Sequence, residues 1–260
     1  MMKYKTKLLV DRFSEIFSGW PGVECVALNE AALPDTLDPY FALIMDVYYT
    51  DTIPGSEERY SQFGTDILAF ETSHFGSKDR FLIGDVPVRL EYKSTQTINE
   101  FVSIADTDLG RIWFIKDSGT YGYYRLAKGE VLFCRNNWMA GIRERLAKLS
   151  PEFWQQMRGA SQSRMEHFLS DLGAAFIQED DFHYLISSSG FIKNACLTLF
   201  CINRCFEPSH RAYYKQVLDL PVLPEAFAAR LESFLRNDAE MTIERKYNLA
   251  QLIARSIVGL

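Results

Sequence analysis

The sequence predicts an α+β chain, a mixed α/β region over residues 1–130 followed by an all-α helical bundle over 131–260. Two patterns carry that expectation. Segments of β-branched, aromatic or period-two character recur through the first half. From about Arg135 the alternation stops, and helical periodicity runs to the C-terminus. With 260 residues, 47% hydrophobic and 14% aromatic, the chain has enough apolar material for one large core or two smaller ones.

The elements follow in order. Tyr4 to Phe17 places Leu8, Leu9, Phe13, Ile16 and Phe17 on one side of a helix, which Gly19-Trp20-Pro21-Gly22 stops. A short strand spans Val23 to Leu28, and a turn-rich stretch from Asn29 to Pro39 leads into a strand from Phe41 to Tyr49. Asp51 to Gly64 reads as a surface loop, Ile67 to Ser73 as a strand or a helical turn, and Val86 to Tyr92 as a strand of period two. Thr97 with Glu100 three residues later suggests a capping box for a helix through about Ala105. In the second half Trp138, Ile142, Leu146 and Leu149 form a helical stripe, and Ser150-Pro151-Glu152 opens the next helix. Phe182 to Phe206 is too interrupted by polar residues for a membrane span and reads as the buried central helix of a bundle. Two helices follow, near Pro224 to Arg236 and Ala239 to Val258.

A net charge of −6 argues against a broad surface for extended nucleic acid, while a compact anion such as a nucleotide remains compatible. The N-terminus lacks a signal-peptide core and no stretch suggests a bilayer anchor, so a cytoplasmic protein is expected, with an oligomer possible. The five cysteines, Cys25, Cys134, Cys196, Cys201 and Cys205, match no zinc spacing and suit reduced thiols. The four histidines lie far apart and form no recognisable triad.

Two acids stand out. Asp46 lies mid-strand in Phe41-Ala42-Leu43-Ile44-Met45-Asp46-Val47-Tyr48-Tyr49, and Glu91 in Val86-Pro87-Val88-Arg89-Leu90-Glu91-Tyr92. A carboxylate in such a segment is costly to bury unless a cation or hydrogen bonds compensate it. Two readings follow: a divalent-metal site shared by neighbouring strands, or ion pairs with neighbours such as Arg89 or Lys93.

The order helix, strand, turn, strand with central Asp46, strand with central Glu91 and then helical bundle resembles the nucleotidyltransferase superfamily. So does the segment Leu199 to Phe206 continuing through Tyr213, Tyr214 and Lys215 to Pro224. The resemblance is to an uncharacterised bacterial branch related to aminoglycoside and lincosamide nucleotidyltransferases. It implies a mixed sheet with flanking helices and a nucleotide held at a glycine-serine turn. It also implies carboxylates that bind magnesium or manganese to activate an acceptor hydroxyl. Asp46 matches the second aspartate of the family pair and Glu91 the third carboxylate. The first aspartate position is Ile44, and the glycine-serine turn is replaced by Leu28-Asn29-Glu30-Ala31, a degenerate motif. Asp38 or Glu30 can supply the missing ligand or base, and Asp38 with Pro39 can equally initiate a turn.

Arg59, Lys78, Arg80, Arg89 and Lys93 are candidate cations for the same cleft. The run Ser77-Lys78-Asp79-Arg80-Phe81 reads as a triphosphate contact or as a solvated corner. Tyr121, Tyr123 and Tyr124 can stack on a base or form an interdomain seam. The expected function is metal-dependent transfer of a nucleoside monophosphate from a triphosphate to an unknown acceptor, a small molecule or a protein. Catalysis would rest on Asp46, Glu91 and Asp38, metal binding on Asp46 and Glu91, and nucleotide binding on Lys78, Arg80, Asn29 and Glu30. The alternative is a catalytically degenerate relative that binds a nucleotide or a partner.

Overall fold

The structure, a computed structural model, describes residues 4–30, 43–238 and 240–260. In chain order the elements are α1 (Tyr4–Ser18), β1 (Val23–Glu30), β2 (Leu43–Tyr49), α2 (Ser56–Phe63), β3 (Ile67–Thr72), β4 (Lys78–Ile83), β5 (Val86–Ser94) and α3 (Thr95–Asp106). Then follow α4 (Trp113–Ser118), α5 (Tyr121–Lys128), β6 (Glu130–Cys134), α6 (Trp138–Ala147), α7 (Pro151–Gln178), α8 (Asp181–Ile202), α9 (Tyr213–Leu218), α10 (Phe227–Leu235) and α11 (Ile243–Val258). The fold is α+β, with a six-stranded mixed sheet and a helical C-terminal region. The chain divides into two compact units, Met1–Asp108 with Tyr123–Lys148 and Leu109–Gly122 with Leu149–Leu260.

The first unit is built on the sheet, with strand order β3-β4-β5-β2-β1-β6. Among the described residues only the central pair β2 and β5 runs parallel. Alternation along the strands sends Leu43, Met45 and Val47 of β2 and Val88, Leu90 and Tyr92 of β5 into one core with Phe13 and Phe17 of α1 and Phe63 of α2. Ring pairs at 5.5 Å (Phe13–Phe63 and Phe63–Phe81) and 5.0 Å (Phe17–Trp20) fill that core. The opposite face therefore receives Asp46 and Tyr48 from β2 and Arg89, Glu91 and Lys93 from β5. Trp138 of α6 packs over it, 5.3 Å from the Tyr48 ring.

Three local expectations change. Residues 51–64, expected as a loop, contain α2. Glu57 and Glu58 in its first turn suit the positive helix end, and Arg59 and Phe63, four residues apart, share its buried side. The Lys-Asp-Arg run is strand β4, which buries Asp79 on the core face and turns Lys78 and Arg80 to the other. The cap of α3 is Ser94, whose hydroxyl accepts from the Gln96 N–H at 3.2 Å, so Thr97 lies inside the helix. The Ser150 cap forms as expected, accepting from the Phe153 N–H at 3.2 Å.

The second unit packs α7 beside α8, and its core gathers Met165 and Leu172 of α7, Phe191, Leu199 and Phe200 of α8, Phe227, Leu231 and Phe234 of α10, and Ile253 and Ile257 of α11. By length and composition α8 could cross a membrane, yet 56% of its most apolar window is buried within the structure.

Candidate functional site

The parallel register sets Asp46 directly level with Glu91, so period two delivers both carboxylates to the same face. Asp46 is fully buried and Glu91 nearly so. Arg125 of α5 spans the pair: one guanidinium nitrogen donates to Asp46 Oδ1 at 2.5 Å and another to Glu91 Oε2 at 2.9 Å. Lys93 Nζ reaches Asp46 Oδ1 at 2.7 Å and Glu91 Oε2 at 3.3 Å. The second Asp46 oxygen accepts from Asn29 Nδ2 at 2.8 Å and from the Tyr48 hydroxyl at 3.1 Å. Glu91 Oε1 faces Arg89 Nε at 3.2 Å and Lys78 Nζ at 3.7 Å. The contact with Arg89 is one of charge, since its Nε makes no hydrogen bond.

Burial alone would raise the Glu91 carboxyl, but the charges of Arg125, Lys93, Lys78 and Arg89 outweigh it and bring it down to about 2. The Tyr48 phenol moves the other way, pushed well up first by burial and then by the Asp46 charge, so it stays a donor. Four cations surround two carboxylates, leaving two positive charges in excess. The buried member is Arg125, whereas the side chains of Lys78, Arg89 and Lys93 are 34%, 31% and 26% exposed. Beside them a surface pocket of about 390 Å³ is lined by Glu71, Arg80, Leu82 and Arg89.

These donors do not suit a two-cation centre. Arg125 already bridges the two acids as a shared divalent ion would, and each acid oxygen has a basic group or hydrogen-bond donor within 3.7 Å. Among the described residues no group of three or more histidine, cysteine or acidic side chains is arranged to hold a metal ion. Asp38 lies outside the described residues. So does the side chain of Glu30, whose backbone closes β1.

The remaining expected residues separate. Lys78 joins the acid cluster, and Asn29 spends its amide on Asp46. Exposed Arg80 stands opposite Arg89 across the β4–β5 pair and opposite Glu71 across β3–β4. Arg59 belongs to the other face. There it grips Asp79 through two hydrogen bonds of 2.7 and 2.9 Å, with Tyr92 donating to the same carboxylate at 2.7 Å, which ties α2 to the β4–β5 hairpin. Tyr123 of α5 stacks on Phe101 at 4.2 Å and donates to its carbonyl at 2.8 Å. That contact orients the helix carrying Arg125, the residue sequence reasoning missed. The one available signal was an arginine amid Tyr121-Gly122-Tyr123-Tyr124-Arg125-Leu126, in a helix with a buried side.

No family model matches this chain, and no curated protein matches it. Among solved structures it is similar to a nucleotidyltransferase-like protein from Exiguobacterium sibiricum 255-15, at 12% identity and a TM-score of 0.49, over 98% of this chain and 74% of that one. Likeness of this degree says nothing of the chemistry, which rests on the residues themselves.

Proposed function

We propose that this protein is a degenerate nucleotidyltransferase-type protein that binds the phosphates of a nucleotide on the basic face of its sheet, without a divalent metal. The observation that carries the reading is Arg125, whose guanidinium bridges Asp46 and Glu91 at 2.5 and 2.9 Å. With the acids committed to that bridge, the surplus charge belongs to the partly exposed Lys78, Arg89 and Lys93. Two further features support an anionic ligand. Arg80 and Arg89 oppose one another directly, a like-charge pair that an anion relieves. The Arg89 side chain is also 31% exposed, and the planar guanidinium suits phosphate oxygens.

Calorimetric titration of ATP and GTP into the full chain, with EDTA and then with magnesium, tests this. Saturable binding in EDTA is expected, weakened about tenfold or more by Arg89→Ala, the scale of a lost charge-assisted hydrogen bond. Binding that requires magnesium, accompanied by pyrophosphate release in the presence of an acceptor, would instead support the transferase reading. No binding of either triphosphate would favour a partner-binding module.

A further inference from the structure

In the first unit Cys25 of β1 and Cys134 of β6 stand directly opposite one another across an antiparallel pair. One position further along, the Arg135 N–H donates to the Glu24 carbonyl at 2.8 Å. A ladder bond at that place makes Cys25 and Cys134 a non-hydrogen-bonded pair, the closer of the two antiparallel arrangements, with Cα atoms about 4.5 Å apart and side chains on one face. A disulfide spans Cα separations of roughly 4.4–6.8 Å, so this pair falls at the short end of the range. The two thiols are also within hydrogen-bonding reach of each other.

Their surroundings differ. Cys25 is fully buried, whereas Cys134 ends a strand at the edge of the sheet and is half-buried. Burial first, and then the neighbouring Cys134, pushes the Cys25 thiol well up, so Cys134 is the group that meets an oxidant. The cysteines of α8 are in a different position: Cys196 and Cys201 are both buried, and burial pushes each up to about 12. In the sheet, the row that holds Cys134 and Cys25 continues through Tyr48 of β2 to Lys93 of β5, so the thiols share the face of the acid cluster.

We propose that Cys25 and Cys134 are a modification site, a thiol pair that a small-molecule disulfide such as oxidised glutathione converts reversibly into a cross-strand disulfide. The Cys134 thiolate attacks one glutathione sulfur, forming a mixed disulfide and releasing one glutathione thiol. Cys25 then gives its proton to solvent and attacks the Cys134 sulfur, expelling the second glutathione as its thiol. Two protein thiols are oxidised and one glutathione disulfide is reduced. The short Cα separation strains the product, and strained disulfides are the readily reduced ones. The link fastens the edge strand β6, which joins α5 with Arg125 to α6 with Trp138. It stands independently of the phosphate-binding reading.

The experiment incubates the folded full chain with oxidised glutathione, blocks remaining thiols by alkylation in acid and maps the peptides by mass spectrometry. The expected product is a Cys25 peptide joined to a Cys134 peptide, with an intact mass lower by two hydrogens, and dithiothreitol reverses it. Cys25→Ala should stop at the first step and accumulate a glutathione adduct on Cys134, because the resolving thiol is gone. Cys134→Ala should leave Cys25 unmodified. A lasting glutathione adduct on Cys134 in the natural sequence overturns the proposal, since it shows that the pair does not close. Failure of Cys134 to react, or a link from either thiol to another cysteine, overturns it equally.

Discussion

Replacing Asp46 by asparagine keeps the shape of the side chain and removes its charge, which separates an acid held for metal from one held by cations. The Asp46 carboxylate is fully buried and accepts from four donors: Arg125 at 2.5 Å, Lys93 at 2.7 Å, Asn29 at 2.8 Å and Tyr48 at 3.1 Å. An amide presents one acceptor oxygen and one NH2 donor in the same space, so part of that set would face a donor instead of an acceptor. Breaking a buried ion pair by removing one partner costs about 3–5 kcal/mol. With a urea slope of about 2 kcal/mol/M, the midpoint of the first unit should fall by about 2 M. Trp138, packed against Tyr48 with ring centres 5.3 Å apart, places an intrinsic fluorophore next to the change. Arg125→Met alone should be similarly costly, and the double variant should lose clearly less than the two single losses added together. A stable or stabilised Asp46→Asn protein would refute the reasoning, since that outcome requires repulsion between Asp46 and Glu91 to dominate, as in a metal-free metal site.

Glu91 sets the acid limit of the first unit. Its folded-state carboxyl, at about 2, lies below the ordinary value of 4.5, so its contribution is complete above about pH 5 and is lost as pH falls towards 2. The difference is worth about 3 kcal/mol. Urea midpoints across that window should therefore drop in the natural sequence and flatten in Glu91→Gln; parallel curves would contradict it. In the second unit, Gly119 caps α4 at φ 80° and ψ −175°, a conformation reserved for glycine, and an added Cβ would lie 2.8 Å from both oxygens of the Glu207 carboxylate. Gly119→Ala should cost about 1–3 kcal/mol, read from thermal melts, and an unchanged melting temperature would show that the turn relaxes freely.

The parts legible in the sequence are those with a short-range cause. Aromatic and β-branched composition in Leu43 to Tyr49 and alternation in Val86 to Ser94 mark two strands, and an acid inside each marks the site. Ser150 before Pro151 marks the start of α7 because capping acts within one helical turn. The element β4 escaped because Lys-Asp-Arg carries no apolar alternation. Its first inward residue is Asp79, ahead of Phe81 and Ile83, and it is neutralised by Arg59 from a helix 20 residues earlier, so charge occupies a position that hydrophobicity usually announces. The helix α2 escaped for the complementary reason: its inward side is made by Arg59 and Phe63, and an arginine does not read as core.

The meaning of the acid pair was illegible for a deeper reason. Adjacent parallel strands make Asp46 and Glu91 neighbours whatever their purpose, so register alone admits a metal site and an ion-pair cluster equally. The balance of charge decides between them, and the decisive cation, Arg125, is 79 residues from Asp46 and 34 from Glu91. Tyr123, two residues earlier, is stacked on Phe101 and donates to its carbonyl, which helps to hold the helix that carries Arg125. Lys93 illustrates the near case: two residues beyond Glu91 on the same strand, it shares Glu91's face by period two and pairs with both acids. Lys93 alone would leave the acid pair one positive charge short. Arg125 completes the neutralisation, and every further basic group on the face, beginning with Arg89, adds positive charge beyond what the acids require.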